Sequence, residues 1–296
     1  MDLPELAKRK HIFVFFTAGT SGNFICNLLS GVQTSKKDLV ISESGNTHVN
    51  YPENRINYWG TTGGEASLDQ IDESFWLECV ERNFNPYQIT ISHSFHTVPY
   101  VRNMLPDTKF FTITADTLEE KAAAIIMLPS KLFFSQNTNP RPQRLDLLKK
   151  EQTDQLQNLG VDERIITLIV ESDRFSPEYY YILLWLNVRV RFERVLASPD
   201  RFDHIPRGDM SDFIKLPFSI ILKHDTLSLI NIIQQCFNEE LTDLQKEYIT
   251  RNFNNYCAAQ NQELINSPVE YYRLLEENAI KKIEELKNTY KYEYKL

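Results

Sequence analysis

Runs of apolar residues bounded by polar residues predict that strands and helices alternate along this chain. His11–Thr17 is continuously β-branched and aromatic, which is typical of a strand buried on both faces. After a glycine-containing turn, apolar residues recur at helical spacing in Asn23–Leu29. Two further short apolar runs, Gln88–Ser92 and Lys109–Thr114, also predict strands.

The rest of the pattern is mainly helical. Short strands are predicted near Leu39–Ser42 and at Pro217–Leu222, and Ile165–Val170 fits either a strand or a helix. Helical spacing predicts six further helices, at Asp69–Asn83, Thr117–Met127, Pro177–Leu196, Leu227–Phe237, Glu240–Leu264 and Pro268–Leu286.

The order strand–helix–strand–helix predicts an α/β fold, because parallel strands need crossover connections. We therefore expect a parallel sheet flanked by helices, with a helical C-terminal half. The expected organisation is a single domain over residues 1–296, with helical additions at about 143–197 and about 240–290.

Composition narrows the class of protein. Of the 296 residues, 42% are hydrophobic and 12% aromatic, which is enough for a sizeable core. A net charge of −8 argues against a nucleic-acid-binding protein. The four cysteines form no CxxC pair, which favours reduced thiols over a disulfide framework or a zinc site.

The first residues do not resemble a targeting signal. The apolar run Ile12–Phe16 is much shorter than the apolar core of a signal peptide. No segment approaches the ~20 consecutive apolar residues of a membrane-spanning helix. The sequence thus predicts a soluble, cytoplasmic protein without a membrane span.

The segment FVFFTAGTSGNFICNLL carries the main chemical signal. A turn between a buried strand and a helix presents backbone N–H groups at the helix N-terminus, where the helix dipole favours a phosphate or sulfate. Glycine in such a turn permits positive φ and a close approach of the anion. The candidate anion-binding residues are Thr17, Gly19, Thr20, Ser21, Gly22, Asn23 and Phe24.

Two common nucleotide-binding motifs are absent from this turn. It lacks the Gly-Lys-Ser/Thr of a Walker A loop, and it lacks the GxGxxG dinucleotide fingerprint. The alternative interpretation is a tight strand-to-helix turn that Ser21 or Asn23 caps and that binds no ligand.

Three segments resemble the sulfotransferase family, and they occur in the family's order and spacing. Thr20–Ile25 resembles the end of the family's P-K-x-G-T-T-W loop and the start of its helix. Gln88–Met127 resembles its strand ending in Thr-His, a short helix, and the next strand and helix. Leu216–Phe237 resembles a late strand and helix. The resemblance implies a P-loop sulfotransferase-like fold.

In that family, the loop holds the phosphosulfate of the cofactor PAPS (3′-phosphoadenylyl sulfate). The resemblance therefore implies transfer of a sulfuryl group to a hydroxyl acceptor on a glycan or small molecule. His93 falls on the family's catalytic histidine, and a histidine there could accept the hydroxyl proton. The alternative for His93 is a structural histidine. His93 and His96 form an HxxH without a convincing third ligand, so we expect no metal.

The departures from the family pattern concern its charged residues. The family's loop lysine corresponds to Thr20, which brings no charge. Its 3′-phosphate arginine and serine would fall near Thr114–Ala115 and Ala122–Ala123. Lys121 could replace them in part, or it could be a solvated helix residue. Other candidate replacement cations are Arg102, Lys131 and Arg141.

The missing charges leave two alternative functions open. One is a catalytically inactive nucleotide- or anion-binding protein on the same fold. The other is a structural or interaction protein whose turn binds no ligand. A basic cluster could bind an acidic glycan or the 3′-phosphate, or could simply be a solvated helix face: Arg141, Arg144, Lys149 and Lys150.

Overall fold

A computed structural model of the chain describes residues 10–16, 19–34, 38–39, 57–59, 87–92, 98–132, 142–172, 176–197 and 210–293. The chain divides into two compact units. The first comprises residues 1–116 and 203–261, and the second comprises residues 117–202 and 262–296. The expectation of a single domain over the whole chain stays a prediction.

The first unit is built on a five-stranded parallel sheet with strand order β2-β3-β1-β4-β5. The strands are β1 (Lys10–Phe16), β2 (Asn57–Trp59), β3 (Tyr87–Ser92), β4 (Lys109–Thr114) and β5 (Ile214–Pro217). Its helices are α1 (Gly22–Thr34), α2 (Val98–Met104), α7 (Phe218–Leu222), α8 (Thr226–Phe237) and α9 (Asp243–Ala258). The predicted α/β fold with a parallel sheet and flanking helices is confirmed.

Strand β1 lies at the centre of the sheet. The helix after β1 and the helix after the neighbouring strand β3 pack on opposite faces of the sheet. Phe16 at the end of β1 faces Gly22, so α1 begins on the face that Phe16 shares. On the other face, Phe110 of β4 packs against Phe213 at 5.2 Å between ring centroids, and the Arg102 guanidinium of α2 lies 5.3 Å from the Phe110 ring centre. Helix α1, which follows β1, therefore lies on one side of the sheet, and helix α2, which follows β3, lies on the other.

Two sequence predictions in this unit differ from the structure. The predicted strand Pro217–Leu222 is wrong, because the strand ends at Pro217 and Phe218–Leu222 form helix α7. Periodicity alone cannot separate short buried strands from short buried helices. The predicted helix Glu240–Leu264 is two helices, since α9 ends at Ala258 and α10 (Gln262–Asn266) follows.

Other predictions fall outside the described residues or were left open. The predicted helix Asp69–Asn83 and most of the predicted strand Leu39–Ser42 lie outside the described ranges. Ile165–Val170, which fitted either a strand or a helix, is helical. The short strand β2 carries no clear sequence signal and was not expected.

The second unit is helical within the described residues. It contains α3 (Leu118–Leu132), α4 (Pro142–Asn158), α5 (Glu163–Val170), α6 (Pro177–Ala197), α10 (Gln262–Asn266) and α11 (Pro268–Glu293). Helix α11 packs on α6 through Phe192 and Tyr272, whose rings stack at 3.7 Å. Trp185 Nε1 also donates a hydrogen bond to Glu276 Oε1 at 3.2 Å. None of the described helices is long and apolar enough to cross a lipid bilayer.

Candidate functional site

The turn between β1 and α1 has a backbone conformation that suits an anion. Gly19 has φ 98° and Ser21 has φ 66°, whereas neither Thr20 nor Gly22 has a positive φ. Alternation between left- and right-handed backbone directs successive N–H groups into a concavity that attracts negative charge. Gly19 and Ser21 therefore provide the positive-φ residues that such a concavity requires.

The start of α1 adds further donors. Its first hydrogen bond runs from the amide of Ile25 to the carbonyl of Ser21 at 3.2 Å, so the amides of Gly22 and Phe24 precede the helical ladder. The first turn of α1 carries no acidic side chain that would compete for these donors. The positive end of the α1 dipole therefore faces the loop before the helix, and no carboxylate in the first turn of α1 neutralises it.

Gly22 is required for close packing against the end of β1. A Cβ atom added at Gly22 would lie 2.1 Å from the ring of Phe16. A side chain at this position would displace that ring, which belongs to the core at the end of β1. Any substitution of Gly22 therefore disturbs the packing of Phe16 as well as the turn.

The polar side chains predicted as donors differ in how accessible they are. Thr20 is fully buried and Asn23 is 9% exposed, whereas Ser21 is half-buried. Phe24 is fully buried and belongs to the core. Thr17 lies outside the described residues. Among the described residues of the turn, only Gly19 and Ser21 are partly exposed, while residues 20 and 22–24 are buried.

Tyr256 on α9 contacts the turn, and the sequence analysis did not find it. Its hydroxyl donates a hydrogen bond to Ser21 Oγ at 2.6 Å, and its ring stacks on Phe24 at 3.9 Å with an interplanar angle of 12°. Burial raises the pKa of the Tyr256 hydroxyl, so it stays protonated and able to donate at neutral pH. An aromatic residue on an amphipathic helix gives no sequence signal for such a contact.

The turn lies at the edge of the sheet where α/β proteins bind ligands. In open α/β sheets this position is the crevice outside the carboxyl ends of strands whose connections leave toward opposite faces. Here β1 and β3 are such neighbours, and Ser92 at the end of β3 pairs with Phe15 near the end of β1. His93 follows Ser92 directly in the chain but lies outside the described residues, so its catalytic role stays a prediction.

The candidate replacement cations have other contacts or cannot be placed. Arg102 forms an ion pair with Asp212 and lies over the Phe110 ring. Lys121 is only 6% exposed, so its interpretation as a solvated helix residue is wrong. The side chains of Lys131 and Arg141 lie outside the described part of the structure.

The basic cluster is only partly described. Lys149 pairs with Glu171 at 2.5 Å, and Lys150 is exposed. The side chains of Arg141 and Arg144 lie outside the described part. The pairing of Lys149 reduces its availability for an acidic glycan.

A metal centre and a reactive thiol have no support among the described residues. No three His, Cys, Asp or Glu side chains in the described ranges are grouped to hold a metal ion, and His93 and His96 lie outside those ranges. Cys26 in α1 is fully buried, and this burial raises the pKa of its thiol well above the usual value, which disfavours the nucleophilic thiolate.

A comparison of the chain with protein-family models gives no match. Comparisons with curated proteins and with solved structures give none either. The functional interpretation therefore depends on the residues and geometry of the turn.

Proposed function

We propose that this chain is a sulfotransferase-like protein whose turn of residues 19–24 binds the phosphosulfate group of PAPS. The observation that carries the proposal is the positive φ of Gly19 and Ser21, on either side of Thr20, in a turn at the carboxyl end of the central strand. The ordered resemblance of three segments to sulfotransferases favours PAPS over other anions.

The residues of the turn fit an anion through hydrogen bonds rather than through charge. The backbone amides of the turn and the Ser21 hydroxyl are neutral donors, and residues 19–24 include no lysine or arginine. Because hydrogen bonds to a charged group are stronger than those between neutral groups, such a nest can hold a phosphate. We expect weaker binding than a loop with a lysine would provide.

In the proposed reaction, bound PAPS supplies the sulfuryl group. The acceptor oxygen forms a bond to sulfur while the bond from sulfur to the bridging phosphate oxygen breaks, and adenosine 3′,5′-bisphosphate leaves with the electron pair. His93 accepts the proton of the acceptor hydroxyl as general base. The acceptor is a hydroxyl on a glycan or small molecule.

Two observations favour a second candidate function, binding without catalysis. Thr20, at the position of the family's lysine, is both uncharged and fully buried. Arg102, which could have supplied a charge, is paired with Asp212. Since stabilisation of charge on the leaving oxygen is a large part of such catalysis, a protein of this kind could bind the nucleotide and not turn it over.

Calorimetric titration with adenosine 3′,5′-bisphosphate tests the binding step. We expect measurable binding to the wild-type protein, decreasing as salt increases because the ligand is an anion. Gly22 variants are unsuitable for placing the ligand, since a side chain there would collide with Phe16.

A matched pair of substitutions at Ser21 places the ligand more cleanly. Asn and Asp both tolerate the left-handed backbone that Ser21 adopts, and they differ by one negative charge. We expect Ser21→Asp to weaken nucleotide binding by about tenfold or more through charge repulsion. Ser21→Asn loses the serine hydroxyl as well, so it is the uncharged reference against which the effect of the Ser21→Asp charge is measured. Equal affinities of the two variants would place the ligand elsewhere and overturn the proposed site.

Turnover separates the two candidate functions. With PAPS and a panel of phenol and sugar acceptors, an enzyme releases adenosine 3′,5′-bisphosphate, and His93→Gln lowers this rate while leaving nucleotide affinity nearly unchanged. Binding without release across the panel favours the non-catalytic candidate. No binding by a folded wild-type protein at millimolar nucleotide would contradict both.

A further inference from the structure

Helix α9 lies along α1 and contacts it near both ends. At one end Tyr256 reaches the turn before α1. At the other end Gln245 Nε2 donates a hydrogen bond to the carbonyl of Val32 at 3.2 Å. Beyond α1, the amide of Leu39 donates to Asn252 Oδ1 at 2.6 Å, and Asn252 is fully buried. Helix α9 is therefore anchored independently of its contact with the turn.

The contact at Ser21 involves a backbone conformation that is unfavourable for serine. A residue other than glycine in the left-handed region costs about 1–2 kcal/mol. Ser21 is such a residue, with φ 66°, and its side chain is held by the Tyr256 hydroxyl at 2.6 Å. The stack of Tyr256 on Phe24 fixes the same turn from within the core. Two contacts from one residue thus hold the turn and the start of α1 in this conformation.

The hydrogen bond also fixes the Ser21 side chain. Because Ser21 Oγ accepts the Tyr256 proton, Ser21 keeps its own O–H group as a donor. Ser21 is half-buried, so its side chain is partly exposed at the turn. A hydroxyl oriented in advance loses less freedom when a ligand binds.

We infer that Tyr256 is a positioning residue that holds the anion turn ready for its ligand by donating its hydroxyl hydrogen to Ser21. This inference rests on the proposed function of the turn. Tyr256 acts through Ser21 and does not itself touch the ligand. The side-chain hydroxyl of a residue 235 positions away in sequence thereby tunes the affinity of the turn.

The variant Tyr256→Phe tests this role, because it removes the hydroxyl and keeps the ring stack on Phe24. We expect adenosine 3′,5′-bisphosphate to bind about two- to tenfold more weakly, as for the loss of one hydrogen bond. In a Ser21→Ala background the same change is expected to have no further effect on affinity. In the absence of ligand, Tyr256→Phe is expected to speed amide hydrogen exchange in residues 19–25.

Tyr248→Phe is the matched control, since it removes a hydroxyl from the same helix. The Tyr248 hydroxyl lies beside Gly31 in the last turn of α1, where an added Cβ would be 1.9 Å from it. We expect this variant to leave both nucleotide affinity and exchange in residues 19–25 unchanged.

The two readouts separate the inference from the proposed function. If the wild-type protein binds no nucleotide, the proposed function fails, and exchange in residues 19–25 alone decides whether Tyr256 orders the turn. If the wild type binds, equal affinity of Tyr256→Phe overturns the inference while the proposed function stands. Unchanged exchange in Tyr256→Phe also overturns it. An equal loss of affinity in the Ser21→Ala background would show that Tyr256 does not act through Ser21.

Discussion

Among the described residues, Gln88 and Thr90 on β3 are buried polar side chains whose terminal atoms have no hydrogen-bond partner. The two side chains lie on the same face of the sheet, because Gln88 and Thr90 are two residues apart in the strand. Phe13 lies on that face too, since it is the register partner of Thr90. A buried polar atom without a partner loses its bonds to water and gains none in return. These two positions therefore cost folding free energy.

Thr90→Val is expected to stabilise the protein. Valine has nearly the same shape and favours strands, and it removes the unsatisfied hydroxyl, so we expect a gain of about 1 kcal/mol in the free energy of unfolding. Urea denaturation measures it. The control is Thr250→Val, where the hydroxyl donates to the Lys246 carbonyl at 2.9 Å and no such gain is expected. A loss of stability in Thr90→Val would show that its hydroxyl has a partner, such as a buried water.

At the scale of elements, helix caps set where the helices near the sheet begin. Asp225 caps α8 by accepting a hydrogen bond from the amide of Ser228 at 3.1 Å. Thr242 and Gln245 form a reciprocal capping box at the start of α9. The capping box thus defines the start of the helix that carries Tyr256.

The cap on α8 makes stability depend on pH. Hydrogen bonds from Ser228 lower the pKa of the Asp225 carboxyl below its usual 3.8. Because the pKa is lower in the folded state, the ionised carboxylate stabilises the protein fully when the pH is above the unfolded-state pKa of about 3.8. This stabilisation is lost as the pH falls through the folded-state pKa. Asp225→Asn keeps a good cap but cannot titrate. We therefore expect its urea midpoint to fall less than that of wild type between about pH 5 and about pH 3.

Asp107→Asn serves as the comparison for this pH effect, since Asp107 is an exposed carboxylate in the turn between α2 and β4. It gives the effect of the same Asp-to-Asn change at an exposed position that caps no helix. An Asp225→Asn protein with the same acid sensitivity as wild type would refute the proposed contribution of the cap.

At the scale of the whole molecule, each unit is assembled from two separated stretches of chain. In the second unit, α11 comes from the last stretch and packs on α6 from the middle of the chain, through Phe192 and Tyr272. The amide of Val269 also donates to Glu119 at the start of α3. The core of this unit therefore depends on residues that are far apart in sequence.

A chain ending at residue 261 is expected to lose ordered structure in α3 and α6, because it lacks the helix that covers Phe192. Hydrogen exchange of the amides in α6 measures the loss. A chain ending at residue 286 keeps Tyr272 and the buried Leu286, so it should retain protection. Equal protection of α6 in both shortened chains would contradict a core built around α11.

The sequence was sufficient where structure is set by neighbours in the chain. The aromatic run of β1, the glycines after it and the helical spacing of α1 predicted the strand, turn and helix that the structure contains, and the order of such units predicted the parallel α/β class. Prediction failed at Pro217–Leu222, because a run of this length is apolar in either conformation and only pairing with β4 decides where β5 ends.

The sequence by itself determined that a buried strand passes through a glycine turn into a helix, because periodicity and turn chemistry are local properties. Only the tertiary structure decided the strand order, which places that turn at the point where chain connections diverge from the central strand. Tertiary packing also decided that Phe16 leaves no room for a side chain at Gly22 and that Tyr256 donates to Ser21. These contacts join residues whose proximity depends on how whole elements pack, and no short stretch of sequence encodes that arrangement.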